Sequence, residues 1–249
     1  MFNFFKKIPP LSSFNFLGLD LHSHLLPGID DGAPDIGTSL TLIKELQSMG
    51  FERLITTPHI MADLYPNTPE IIQAKLTEVR QALDAAGVKM KIDAAAEYLM
   101  DEAFGEKIKA GNLLTLPGKR VLVEMSFISE PPYLGEYLFK LGTAGYKVIL
   151  AHPERYLFLR NQPQRYQDLK DQGVEMQLNL LSLTGYYGKP TYDNAVALLK
   201  GGLIDYLATD LHHERHAQNL ERLLQDRKVS KLLNAYKDSF KNKLLLNND

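Results

Sequence analysis

The chain contains no cysteine and no tryptophan among its 249 residues. Without cysteine there can be no disulfide, no thiolate metal site and no cysteine nucleophile, so any chemistry must come from oxygen and imidazole groups. Long apolar runs are missing too. No stretch approaches the roughly 20 apolar residues of a membrane span. Near the N-terminus, Pro9, Pro10, Ser12, Ser13 and Asn15 interrupt Ile8 to Leu19, leaving no continuous core for a secretion signal. A cytoplasmic location is expected on that ground; Phe2, Phe4 and Phe5 beside Lys6 and Lys7 offer the alternative of docking on a partner or membrane surface. A dominant charge is the third absence. The net charge of -2, with Lys and Arg scattered along the chain, supplies no overall attraction for a polyanion, and nucleic acid is not expected as a partner.

What is present is ordinary globular composition, 45% hydrophobic and 23% charged, at a length that suits one α/β barrel. Short apolar runs predict strands over 16–21, 53–57, 91–96, 121–125, 147–151, 174–178 and 205–208. Their often continuous apolar character suits a sheet buried on both faces. Helices are predicted between them. Asp35 caps a segment with Ile36, Leu40, Ile43 and Leu46 at helical spacing, ended by Gly50. Thr68 and Pro69 open another, with Ile72, Leu76, Val79 and Leu83 as its buried stripe and Gly87 at its end. Further helices are read over 134–143, 163–172 and 192–200. The lysines from Lys228 to Lys243, set among Val229, Leu232, Leu233, Tyr236 and Phe240, solvate a terminal amphipathic helix. Alternating strands and helices without a linker predict one domain over 1–249, a barrel of parallel strands that is irregular or not fully closed. Residues 1–16 form an N-terminal extension, and 240–249 are expected to be a disordered tail.

The ionisable residues fall at the ends of these strands. Strand one runs into His22 and His24, strand two into His59, strand three into Glu97, strand four into Glu124, strand five into His152, and strand seven into Asp210 and His212. In an extended chain the period of two sends both imidazoles of His22-Ser23-His24 to one side. A carboxylate such as Glu124 inside an apolar strand is costly to bury unpaired, and a cation is the partner that best offsets several converging acids. Asp30, Asp31 and Gly32 read first as a turn, although one of the acids could reach the same face. Oxygen and imidazole ligands without thiolate suit manganese, iron or zinc. Eight candidate ligands exceed the needs of one ion and imply two or three, the arrangement used in phosphoryl displacement.

These motifs resemble a known family. His22-Ser-His24 with Pro27-Gly-Ile-Asp-Asp-Gly32, Thr57-Pro-His59, Glu97-Tyr98, His152-Pro-Glu-Arg155 and Asp210-Leu-His212 are similar to those of the PHP (polymerase and histidinol phosphatase) superfamily. Within it they resemble the bacterial manganese-dependent protein-tyrosine phosphatases of capsule and exopolysaccharide synthesis. Tyr65-Pro-Asn67 and the segment from Asn179 to Gly188 add to the likeness, which spans residues 18 to 216. The resemblance implies an α/β fold, a distorted (β/α)7 barrel of TIM type, holding three ions, usually manganese. It implies His22, His24, Asp31, His59, Glu97, Glu124, His152, Asp210 and His212 as metal ligands, and Arg155 and Arg215 as phosphate-binding residues; Arg215 sits at a shorter spacing than the pattern has. The partner implied is a phosphotyrosine protein, such as the C-terminal tail of a tyrosine autokinase of polysaccharide export.

The reaction expected is attack on phosphorus by a metal-bound hydroxide, with Arg155 and Arg215 neutralising the phosphoryl oxygens. Tyr65, Tyr98, Tyr186 and Tyr187 are candidates to stack on a phenyl ring. A small-molecule phosphatase acting on a compound like histidinol phosphate is the nearest rival. A non-catalytic metal-stabilised interaction module is the rival of another class, and an exonuclease is a distant third.

Overall fold

The computed structural model describes residues 10–246, so statements about Phe2, Phe4 and Phe5 fall outside the described residues. Strand β1 (Leu19–Asp20) leads to α1 (Ile36–Ser48), β2 (Arg53–Thr56), β3 (His59–Ile60) and α2 (Pro69–Ala85). Next come β4 (Lys91–Ala94), β5 (Glu97–Leu99), α3 (Glu102–Ala110), β6 (Arg120–Glu124) and α4 (Leu134–Thr143). Then follow β7 (Lys147–Ala151), α5 (Pro163–Asp171), β8 (Glu175–Asn179), α6 (Lys189–Lys200) and β9 (Tyr206–Ala208). The C-terminal part holds α7 (Glu214–Gln225), α8 (Arg227–Tyr236) and α9 (Asn242–Leu246). All strand pairs are parallel, in a three-stranded sheet ordered β1-β2-β4 and a six-stranded sheet ordered β3-β5-β6-β7-β8-β9. The architecture is thus α/β with parallel sheets.

The anticipated helix signals act as expected. Asp35 accepts a hydrogen bond from Thr38 N at 2.8 Å, and Thr68 caps α2 with Pro69 in its first turn. The buried stripe of α2 is Ile72, Leu76, Val79 and Leu83. Two of the expected strands differ from the sequence reading. Segments 53–60 and 91–99 each break into two short strands, and each hands its chain from the smaller sheet to the larger. His59 and Glu97 therefore open β3 and β5 instead of ending β2 and β4. Pro58 supplies no N–H at the first break, and its carbonyl accepts from Glu97 N at 3.1 Å, so the two breaks lie side by side. The expected disordered tail also differs. Residues 240–246 carry α9, whose Leu245 and Asn242 are buried, and only 247–249 lie outside the description.

Strand periodicity sorts the apolar residues into two clusters. Leu122, Ile149, Ala151, Tyr206 and Ala208 pack together with Leu19, Leu21, Ile55 and Ala95. Residues of the opposite parity, Val121, Val123, Val148, Leu150 and Leu207, join the larger core together with α1 and α2 residues. Both faces of the central strands are therefore buried, which is why they read as continuous apolar runs. Glu124 shares a face with Leu122, Asp210 continues the parity of Ala208 beyond β9, and His152 directly follows Ala151 at the end of β7.

Between β1 and β9 no ladder forms, yet the two segments are tied. Asp20 accepts from Thr209 N at 2.9 Å and from Thr209 Oγ1 at 2.7 Å, Asp210 N donates to His22 O at 2.8 Å, and His24 N donates to Leu211 O at 2.9 Å. From below, the Asn242 side chain donates to Leu19 O at 3.0 Å and Leu207 O at 2.7 Å, and accepts from Leu207 N at 3.1 Å. These bonds bring the first and last ligand motifs together across almost the whole length of the chain.

Candidate metal centre

All nine sequence-predicted ligands come together in one cluster, His59 and Glu97 from the starts of β3 and β5 and the others from segments at or beyond strand carboxyl ends. Three overlapping groups have ligand atoms within 4.8 Å of one another: His24, Asp31, His59 and His212; His22, His24 and Asp210; and His59, Glu97 and Glu124. His152 adjoins the third, its Nε2 3.1 Å from Glu97 Oε1 and 3.8 Å from Glu124 Oε2. Except for Asp31, whose side chain is 53% exposed, these groups are largely buried.

The donor set fits cations better than it fits itself. His59 Nδ1 lies 3.1 Å from Glu97 Oε2 and 3.0 Å from Glu124 Oε1, yet none of these three buried atoms makes a hydrogen bond. Three buried polar atoms this close together with no hydrogen bond among them leave a point at which a cation would satisfy all three. The tautomers agree with this. His22 Nδ1 lies 2.7 Å from Gln177 Oε1, and His212 Nδ1 lies 2.8 Å from the Asp210 carbonyl. Both partners can only accept, so each Nδ1 carries the proton and each Nε2 presents a lone pair to the cluster. His24 Nδ1, 2.8 Å from Asp30 Oδ2, is held in the same way.

Charge completes the picture. Against the burial that would strip its proton, Glu97 and Glu124 push the His59 imidazolium up to about 12. Burial and His59 both oppose protonation of His24, yet Asp30 and Asp210 raise it to about 10. Burial would raise Glu97 and Asp210, but the surrounding imidazoles hold both well below the usual carboxylate range. Protons on His24 and His59 occupy the electrostatic role that a cation would take from them. His212 moves the other way, down to about 4, through burial and the neighbouring His24.

Local backbone serves the site. His152 and Asp210 adopt positive φ of 36° and 49°, a strained region for residues other than glycine. Gly32 is required because a Cβ there would lie 2.2 Å from the His24 carbonyl oxygen. Its neighbours divide the work: Asp31 belongs to a ligand group, while Asp30 orients His24 and accepts from His59 N at 3.2 Å.

Arg155 and Arg215 are not placed alike. Arg155 donates to Asp210 Oδ2 at 3.1 Å, and its guanidinium lies 4.6 Å from the Phe127 ring centroid and 4.2 Å from that of Tyr187. It lines a cavity of about 390 Å³ together with His59, Glu97, Glu124, His152, Asp210 and His212. Arg215 is exposed on the first turn of α7, 5.6 Å from the Tyr186 ring, and does not line that cavity. Among the tyrosines, Tyr65 and Tyr187 line it and Tyr186 does not. Tyr98 is buried in the core, where its hydroxyl accepts from Leu114 N at 2.8 Å, so it cannot stack on a ligand.

Several residues of the site escape a reading of ionisable groups alone. Asn179 donates to Asp210 Oδ2 at 2.7 Å, and Glu154 accepts from Asn179 N at 3.0 Å. Gln177 and Asn179 alternate with Met176 and Leu178 in β8, and that period of two was their available signal. His213 and His216, which also line the cavity, follow His212 directly on the start of α7.

The sequence profile of the family described as "Capsular polysaccharide synthesis, CpsB/CapC" matches residues 18–248. The chain belongs to the CpsB/CapC family. It is 28% identical over 196 residues to the tyrosine-protein phosphatase YwqE of Bacillus subtilis (strain 168), covering 78% of this chain and 77% of that protein. It is 27% identical over 203 residues to the tyrosine-protein phosphatase CpsB of Streptococcus pneumoniae, covering 78% and 83%. Crystal structures of those two CpsB/CapC proteins are described as unique metal-dependent tyrosine phosphatases. This fold matches one such chain with a TM-score of 0.80 at 27% identity, over 93% of this chain and 95% of that one.

Proposed function

We propose that this chain is a metal-dependent protein-tyrosine phosphatase that hydrolyses phosphotyrosine on proteins of capsule or exopolysaccharide synthesis. The observation that carries the reading is the three overlapping ligand groups opening, beside Arg155, into one cavity. In this reading the described residues form one domain. The β1–β9 ties complete a distorted barrel of seven βα units, and the nine ligands hold three ions, manganese by preference. The phosphotyrosine would be offered by a flexible tail, such as that of a tyrosine autokinase of polysaccharide export.

When bound, the cations supply Lewis acidity, providing an acidified water as nucleophile and positive charge opposite the phosphoryl oxygens. The chain's own residues then orient and neutralise. Arg155 spends one donor on Asp210 and packs on the rings of Phe127 and Tyr187, which leaves other N–H groups to fork onto the phosphoryl oxygens. Burial raises the Tyr187 hydroxyl, which stays a neutral phenol beside Arg155. Arg215, one turn beyond the last ligand, is the second phosphate-binding group proposed, reached by turning away from Tyr186. The departing phenolate has a parent pKa of about 10, so it needs little help from a dedicated acid.

The test is a rate comparison of phosphotyrosine peptide, histidinol phosphate and single-stranded DNA with metal-loaded protein, repeated after chelation. The peptide should be hydrolysed fastest, and chelation should abolish turnover until manganese is restored. A faster reaction with histidinol phosphate, or full activity after exhaustive metal removal, would exclude the proposal.

A further inference from the structure

The cavity is lined by polar groups, Asp31, His212, His213 and His216 among them, and also by an apolar set, Met61, Leu64, Tyr65 and Phe127, from the β3–α2 and β6–α4 loops. This apolar set continues past the cavity. Ile128 follows Phe127 in sequence, and Leu157 N donates to Phe127 O at 2.9 Å, which fixes the Leu157 loop against the same edge. The relative exposures are 69% for Leu64, 77% for Ile128, 49% for Leu157 and 37% for Phe127. Leu64 and Phe127 are thus exposed within the cavity lining, and Ile128 and Leu157 adjoin Phe127; the other large apolar side chains left exposed among the described residues are Ile71, Phe139 and Leu244.

Isolated exposed apolar residues need no explanation, but a contiguous set at the rim of a binding cavity marks a surface that is covered in use. Neither the phosphoryl group nor the cations have any use for it. A phosphate monoester enters with its charged end toward Arg155 and the ligand cluster, so the rim meets whatever lies behind the phenyl ring. In a free small molecule nothing lies there. In a peptide the neighbouring residues do, because successive residues advance by about 3.3–3.6 Å in an extended chain, and residues one to three positions away stay within reach of the rim.

We infer that Leu64, Ile128 and Leu157 form a docking rim that selects phosphotyrosine flanked, within about three residues, by a bulky apolar or aromatic side chain. The inference rests on the phosphatase reading above and names the class of peptide that the site takes. The rim contributes to substrate affinity and not to the reacting atoms, so its loss should appear in KM with kcat little changed. Covering one such side chain against the rim is worth roughly a tenfold preference.

The experiment uses the full-length, manganese-loaded protein and three substrates: para-nitrophenyl phosphate, a phosphotyrosine peptide with leucine or tyrosine at the flanking positions, and the same peptide with glycine and serine there. Wild-type protein should show a kcat/KM roughly tenfold higher for the apolar-flanked peptide. Ile128→Ser and Leu157→Ser should each erode that advantage through KM and leave para-nitrophenyl phosphate unaffected, while Ile128→Leu should retain it. Equal rates on both peptides with wild-type protein overturn the inference. So does a parallel loss on all three substrates in the serine variants, which would place these residues in the fold or the catalytic step. Failure of wild-type protein to hydrolyse any of the three substrates would instead remove the phosphatase reading itself.

Discussion

At the scale of single residues, the clustered imidazoles and carboxylates are held by neighbours outside the cluster. Asp210 divides its oxygens: Oδ1 lies 3.3 Å from His22 Nε2, while Oδ2 accepts from Asn179 and Arg155. Asn179→Ala removes the bond that fixes this division. Partners of metal ligands are typically worth 10–100-fold in metal affinity, so the manganese concentration for half-maximal activity should rise by about tenfold, as read by metal titration. Arg155→Ala removes charge at the phosphoryl group and should lower kcat/KM by about 100-fold, and Arg215→Ala by about tenfold, with the fold intact by circular dichroism. The residues of the cluster were legible because only a few residue types suit hard or borderline cations, and a histidine or acid at the end of an apolar strand is conspicuous. Gln177 was not, because a neutral amide occurs in many places for other reasons, and the Asp-Gly turn left open which of Asp30 and Asp31 faces the cluster.

At the scale of elements, the capped helices α1 and α2 and the amphipathic α4 follow directly from local signals. The division of two strands at Pro58 and at Ala95–Ala96 does not. A strand of two to four residues carries too little periodicity to show where pairing changes sheet. Helix α9 was hidden for a similar reason, since five residues cannot display a helical face. Its Asn242 is nevertheless the main polar tie between β1 and β9 from below. Replacing it by alanine leaves the buried amide and carbonyl of Leu207 short of partners and should cost about 2–3 kcal/mol of unfolding free energy. The urea midpoint should fall with little change in slope, and activity under native conditions should persist.

At the scale of the whole molecule, the cluster couples stability to metal and pH with opposite signs. In metal-free protein His24 and His59 are raised above the ordinary 6.5, to about 10 and about 12. Their contribution to stability is complete below pH 6.5 and declines as pH rises toward those folded values. Cations require the neutral imidazoles, so binding tightens over the same interval. The melting temperature of chelator-treated protein should thus decline as pH is raised from 6.5 toward 10, while the increment produced by manganese grows. A manganese increment that shrinks with pH would contradict proton displacement at these histidines.

The sequence by itself determined the chemistry available to this protein: no thiols, a parallel α/β pattern, and imidazoles and carboxylates spaced one strand apart, because periodicity and residue type are local properties. Only the tertiary structure decided which of those groups share a point in space. It brought His22 against Asp210, placed Arg155 but not Arg215 in the cavity lining, turned Tyr98 into the core and left Ile128 exposed beside Phe127. Each outcome depends on contacts between segments remote in sequence, where register and packing choose among arrangements that local signals leave equal.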